Sequence, residues 1–325
     1  MKKTANIIFR ILIAIALLLL AGLIFIYVSN KIALRNEYEW AENMGCAEAA
    51  DAGDYDLNIV TYGADNYEHT IVALSGYGPN DYSIGIRTLT DLLSDNNRIV
   101  IIDRAGYGLS DDTSEPQTAE RIVSDLRTAL QSAGIEGPYV LLPHSLGSVY
   151  SIYWECKYPE EIEAVIFLDG TKISDQINYP ETSSSDNIEN IKSVLSSRLG
   201  FFRLLSSDAP DKSDETSYLR YVLNMHSAST RAKFSEYSLI KSNAQTVSDA
   251  IVETDIPKLY ICATWGYTEG LSEERLAELE SYRNDILIPF LERLGNCRLE
   301  LLPGSHNIFA DRATDCAALI EDFLG

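Results

Sequence analysis

The 325-residue chain is 46% apolar and 23% charged, globular proportions that exclude a long disordered tract and leave room for a sizeable core. Its 48 acidic against 26 basic residues give a net charge of −22 at pH 7, which argues against nucleic acid as a partner, because that needs a basic surface to replace counterions. The five cysteines (Cys46, Cys156, Cys262, Cys297, Cys316) are scattered without metal-ligand spacing and supply neither a disulfide framework nor a redox motif.

The chain opens on MKKTANIIFRILIAIALLLLAGLIFIYVSN, in which Lys2, Lys3 and Arg10 precede a run uncharged from Ile11 to Val28. As a helix that run is about 27 Å long, close to the hydrocarbon thickness of a bilayer. Residues 1–30 are therefore expected to form an uncleaved transmembrane anchor; a signal peptide, the rival reading, has a shorter apolar region and a small-residue cleavage site. The basic N-terminal flank, partly opposed by Lys31 and Arg35, favours a single-pass protein of the cell membrane with its globular part outside the cytoplasm. Residues 31–54, charge-rich in RNEYEWAENMG, are expected to form a solvated stalk or linker.

From residue 55 to 325 short apolar, β-branched runs follow one another: LNIVTYG, TIVALSG, RIVIIDRAG, YVLLPHS, AVIFLDG, KLYICAT and RLELLPG. Helical patterns separate most of them. TAERIVSDLRTALQSAG spaces Ile122, Leu126 and Leu130 on one helical face and ends at Gly134, and the tracts Ser272 to Leu294 and TDCAALIEDFL behave alike. Alternating strand and helix predicts an α/β fold, a mainly parallel central sheet covered on both faces. Between AVIFLDG and KLYICAT lie about 80 residues, roughly 173–251, with helical stretches and no strand pattern. Such an insertion packs helices on the core edge, roofs a pocket as a cap, or does both.

Within LLPHSLGSVY, Ser145 follows a buried-strand pattern and precedes a helical one. A strand that runs straight into a helix presents a serine on a sharp turn, provided its neighbours two positions away are small. Gly147 fits, whereas Pro143 departs from the usual glycine. A serine hydroxyl needs a base to take its proton and a carboxylate to orient that base. Four histidines compete for the role: His144 abuts the serine, His69 precedes a strand, His226 lies in the insertion, and His306 follows RLELLPGS. His306 is the expected base, since its place late in the chain suits the order serine, acid, histidine.

These blocks together resemble the α/β-hydrolase superfamily over most of residues 55 to 325. LSGYG is similar to the loop after the third strand, with Ser75-Gly76 where the family has His-Gly; DRAGYGLS resembles the block after the fourth; PHSLGS resembles the nucleophile turn; GSHNIF resembles the loop bearing the catalytic histidine. The resemblance implies an oxyanion hole from the main-chain N–H groups of Tyr77 and Leu146. In most of the family the acid follows the seventh strand, where this chain offers only Glu269; in others it follows the sixth, where Asp169 stands at the strand end. Asp169 is preferred because a strand terminus holds a carboxylate rigidly, with Glu269 the alternative.

The expected function is that of a membrane-anchored serine hydrolase with a helical cap. It would cleave a small-molecule carboxylic ester or related acyl compound through an acyl-enzyme, without metal or organic cofactor. An aminopeptidase or a lactonase could use the same apparatus. From another class, a catalytically silent ligand-binding protein of the same fold is the alternative, since fold alone does not deliver function. Oligomeric state is not legible.

Overall fold

In the computed structural model residues 2–180, 183–264 and 272–325 are described. Eight strands are found there: β1 (Ala49–Asp51), β2 (Asp56–Gly63), β3 (Thr70–Leu74), β4 (Arg98–Ile102), β5 (Tyr139–Pro143), β6 (Ile162–Leu168), β7 (Lys258–Ala263) and β8 (Cys297–Leu302). They form one sheet in the order β1-β2-β4-β3-β5-β6-β7-β8. The β1–β2 and β2–β4 pairs are antiparallel and all others parallel. The central runs TIVAL and YVLLP are buried at every residue, as a sheet covered on both faces requires.

The helices, in chain order, are α1 (Lys2–Asn43), α2 (Tyr82–Gly85), α3 (Arg87–Leu93), α4 (Ala119–Ser132), α5 (Gly147–Lys157), α6 (Ile173–Ile177), α7 (Ser184–Leu199), α8 (Phe201–Leu205), α9 (Glu215–Ser227), α10 (Arg231–Ala250), α11 (Glu273–Tyr282), α12 (Ile288–Leu294), α13 (Ile308–Asp311) and α14 (Ala313–Leu324). On one face of the sheet Leu126 of α4, Trp154 of α5, Ile240 and Val247 of α10 and Phe290 of α12 share a core. On the other, Leu89 and Leu93 of α3 pack with Ile308 of α13 and Ile320 of α14. The α4 pattern folds as its spacing dictates: Thr118 caps the start by accepting the Arg121 N–H, Ile122, Leu126 and Leu130 are buried, and Gly134 leaves the helix at φ 67°.

Residues 173–251, expected as the insertion, fold into α6 to α10 between β6 and β7. The stretch IENIKSVLSSRLGFFRLL breaks at Gly200, which adopts φ 90°; a Cβ there would stand 2.7 Å from the Asn30 Cβ. Residues 31–54, expected as a stalk, are largely ordered into the fold. α1 continues unbroken through Gly22 to Asn43 and stops before Gly45, which adopts φ 67°, and Trp40 meets Tyr218 of α9 edge to face at 4.6 Å. Ala49–Asp51 then pair with β2 at the sheet edge. Residues 4–25 of α1 are exposed throughout, an apolar surface too large for a water-facing helix. All five cysteines are free thiols.

Candidate active site

Strand order brings the site together. β3 is followed in sequence by its neighbour on one side, β4, while β5 on its other side is followed by β6, so the loops leaving β3 and β5 diverge and open a crevice at the strands' carboxyl ends. Ser75–Tyr77 leave β3 there, and His144–Ser145 leave β5. The chain turns at Ser145 with φ 49°, a left-handed conformation that side chains other than glycine rarely adopt. Gly147 makes the turn possible: a Cβ there would stand 2.8 Å from the Ser75 carbonyl oxygen and 2.9 Å from that of Leu74. Pro143, the departure from the expected small residue, is simply the last residue of β5, and the following His144 N–H donates to the Leu74 carbonyl at 2.9 Å.

Ser145, His306 and Asp169, far apart in sequence, meet in this crevice. The Ser145 hydroxyl donates to His306 Nε2 at 2.8 Å, and His306 Nδ1–H donates to Asp169 Oδ2 at 2.7 Å. That tautomer follows from the carboxylate, which can only accept. Asp169 is fixed in turn: its Oδ1 accepts the Ala263 N–H at 3.0 Å, its own N–H donates to the Ile261 carbonyl at 2.8 Å, and it too has positive φ, 43°. Glu269, the alternative acid, lies outside the described residues.

Two partners of the site carry no expectation from the sequence. His144 is buried and its Nε2–H donates to the main-chain carbonyl of His306 at 2.8 Å. Its ring lies against Phe309 at 4.8 Å, and its Nδ1 has no hydrogen-bond partner among the described residues. Burial first, then the adjacent His306, push its pKa down to about 4, so the ring is neutral at pH 7. Nothing in a histidine next to a serine distinguishes this role from a strand residue pointing away.

The second partner is Arg104, from the DRAGYGLS block. Its guanidinium donates to the Ser75 carbonyl at 2.6 Å, the Ser75 hydroxyl at 3.1 Å and the Gly76 carbonyl at 3.1 Å. Ser75 thus stands where the resemblance leads one to expect histidine, and the β3 loop is held by Arg104 from behind. The charge is balanced by Glu236 of α10 at 2.9 Å, and both side chains are 2% exposed. Glu236 also accepts hydrogen bonds from the Tyr107 and Tyr150 hydroxyls, at 2.5 and 2.7 Å. One buried network therefore ties the inserted helices to the loop beside Ser145.

Gly76 packs directly on the serine: a Cβ there would stand 2.7 Å from the Ser145 Cβ and 3.3 Å from its Oγ. The Tyr77 and Leu146 N–H groups donate to no other group among the described residues. Tyr77 stacks obliquely on Tyr237 of α10 at 5.5 Å, and Tyr179 closes on Tyr237 edge to face at 5.8 Å, an aromatic rim above the crevice. A cavity of about 510 Å³ opens beside Asp169 and His306, lined also by Lys172, Cys262, Tyr282 and Arg283 among others. Phe201, Phe202 and Leu205 of α8, apolar residues of the inserted helices, do not line it; Leu205 is 85% exposed.

Residues 73–256 match the sequence profile of the α/β-hydrolase fold family, from the β3 loop through the inserted helices. Among curated proteins, the uncharacterized protein YbdG of Bacillus subtilis is 27% identical over 207 residues, covering 64% of this chain and 62% of YbdG. A 2-(acetamidomethylene)succinate hydrolase of Mesorhizobium japonicum is 26% identical over 164 residues, covering 49% of this chain and 57% of that enzyme. The chain thus spans less than two thirds of either relative. Among solved structures, Cfl2 of Burkholderia cenocepacia superposes with a TM-score of 0.62 at 18% identity, over 86% of this chain and 95% of that one, a likeness of fold. With strands β4 to β6, Ser145, Asp169 and the inserted helices inside a matched region that covers more than half of its length, this chain belongs to the α/β-hydrolase fold family.

Proposed function

We propose that the protein is a membrane-anchored serine hydrolase that cleaves a carboxylic ester or a related acyl compound through an acyl-enzyme. The observation that carries this reading is the unbroken hydrogen-bond chain from Ser145 Oγ through His306 to Asp169. In the first step His306 Nε2 takes the Ser145 proton as Oγ attacks the acyl carbon, and the ring becomes an imidazolium steadied by Asp169. The tetrahedral oxyanion is held by the Tyr77 and Leu146 N–H groups. His306 then returns the proton to the leaving alcohol, and the acyl group stays on Oγ. Water attacks the ester carbon in the second half, its proton going to His306 and then back to Ser145. Helix α5, which begins at Gly147, adds its amino-terminal dipole near the developing negative charge.

We read α1 as the anchor: a helix of this length and composition whose residues 4–25 are exposed throughout supports that reading. With it goes placement of the hydrolase part outside the cytoplasm, as the basic flank favours. The test is turnover of an ester series graded by acyl length, run on the full chain in detergent. Hydrolysis abolished by Ser145→Ala, with folding retained, is expected; a fully folded chain inert toward every ester and thioester would leave ligand binding as the function.

A further inference from the structure

Resting on the reading of α1 as a membrane anchor, we propose that the outer face of α7 and α8 docks into the bilayer interface. On α7, Ile188, Ile191, Leu195 and Leu199 recur at helical spacing and are 41–55% exposed; on α8, Leu204 and Leu205 are 62% and 85% exposed. No other part of the described chain covers this stripe, which alone says nothing of its occupant.

Its depth does. Gly200, between the two helices, lies against α1: a Cβ there would stand 3.2 Å from the Ile26 carbonyl oxygen and 2.7 Å from the Asn30 Cβ. Ile26 falls inside the uncharged run that ends at Val28, by about 3 Å along the axis. A bilayer that covers α1 up to Val28 therefore reaches the level of the α7–α8 junction. The contact is clamped rather than incidental. Arg203 of α8 donates to Asn30 Oδ1 at 2.9 Å and to both carboxylate oxygens of Glu37, at 2.6 and 2.8 Å, with Glu37 7% exposed. Asn30 Nδ2 donates to the Ser197 carbonyl at 3.5 Å. Since α1 runs as one helix through this clamp, the anchor fixes α7 and α8 in height as well as in orientation. The occupant is thus the headgroup and upper acyl region of the membrane, which takes isoleucine and leucine from the apolar face of an amphipathic helix. Lys192 and Arg198 belong to the same helix and have the reach to put their charges among lipid phosphates.

The test uses the full chain in phosphatidylcholine bilayers whose acyl chains carry bromine either near the headgroup or near the chain end, which quenches tryptophan at the matching depth. Single substitutions Leu195→Trp and Leu205→Trp report on the docking face, and Leu17→Trp reports on the anchor. Fluorescence added by Leu195→Trp and Leu205→Trp falls most with the shallow bromine, and that added by Leu17→Trp falls most with the deep one. Should Leu17→Trp be quenched while both face positions are not, the docking is overturned and the anchor stands. An unquenched Leu17→Trp overturns the anchor, and the docking with it.

Discussion

His144, immediately before Ser145 in the chain, donates its Nε2–H to the main-chain carbonyl of His306 at 2.8 Å, so the residue beside the proposed nucleophile holds the loop that carries the proposed base. The two imidazole rings lie 4.6 Å apart. The turn that leaves β5 therefore carries both the proposed nucleophile and a strut for its partner.

Removing that strut should loosen the base without touching the reacting atoms. We expect His144→Ala to lower kcat by about ten-fold or more, as small displacements of catalytic groups do, with KM little changed. His144→Gln, whose amide can still donate to the carbonyl, should recover most of it. Steady-state kinetics on one ester with the three proteins decides; equal losses in both variants would reduce His144 to packing.

The acid is tested by Asp169→Asn, which keeps shape and removes the charge that orients the ring. A drop in kcat on the order of 10⁴-fold is expected, with an intact fold by circular dichroism. Near-normal turnover would pass the role to another carboxylate.

Gly76→Ala places a methyl group 2.7 Å from the Ser145 Cβ. Overpacking of this kind costs about 1–3 kcal/mol, and here it falls on Ser145, the proposed nucleophile. Activity should fall far more than the urea midpoint, which separates an active-site clash from general destabilisation.

Glu236 balances a fully buried guanidinium, so Glu236→Ala leaves Arg104 unpaired inside the protein. The expected loss of stability is about 3–5 kcal/mol, measured by denaturant unfolding. Arg104→Lys keeps the charge but loses the fork that spans the Ser75 and Gly76 carbonyls, and should lower kcat more than stability.

Acid should unfold the protein through two buried histidines. The pKa values of His144 and His226 are both pushed down to about 4, chiefly by burial. His226 stays neutral although Glu37 is 3.7 Å away, because Arg203 already engages both oxygens of that carboxylate. The unfolded chain takes up these protons as pH falls below the ordinary value near 6.5, and the folded chain does not until about 4. Stability present above 6.5 is thus lost on the way down to 4, by roughly 3 kcal/mol for each histidine. Urea unfolding at steps across that window measures the slope, and His144→Gln should flatten part of it.

Much of this site was legible in the sequence because its signals are local. A buried-strand pattern followed by Ser145 and Gly147 specifies a turn, and Asp169 and His306 each stand just past a strand-like run. All seven sequence-level strands exist; the central runs TIVAL and YVLLP are unbroken because the sheet is buried on both faces there, whereas β8 is only partly buried. Contacts between distant segments left no such mark. β1 is three residues whose pairing depends on β2, and residues 31–43 look solvated until Trp40 and Glu37 find α9 and α8. Arg104 and His144 act through main-chain carbonyls, which carry no sequence identity.

The proposed mechanism stands or falls on where an acylating probe reacts. After treatment of the full chain with a fluorophosphonate, peptide mass spectrometry should place the adduct on Ser145 in the wild type and find it strongly reduced in His306→Ala and absent in Ser145→Ala. An adduct on another serine, or one at Ser145 that forms equally fast without His306, would contradict it.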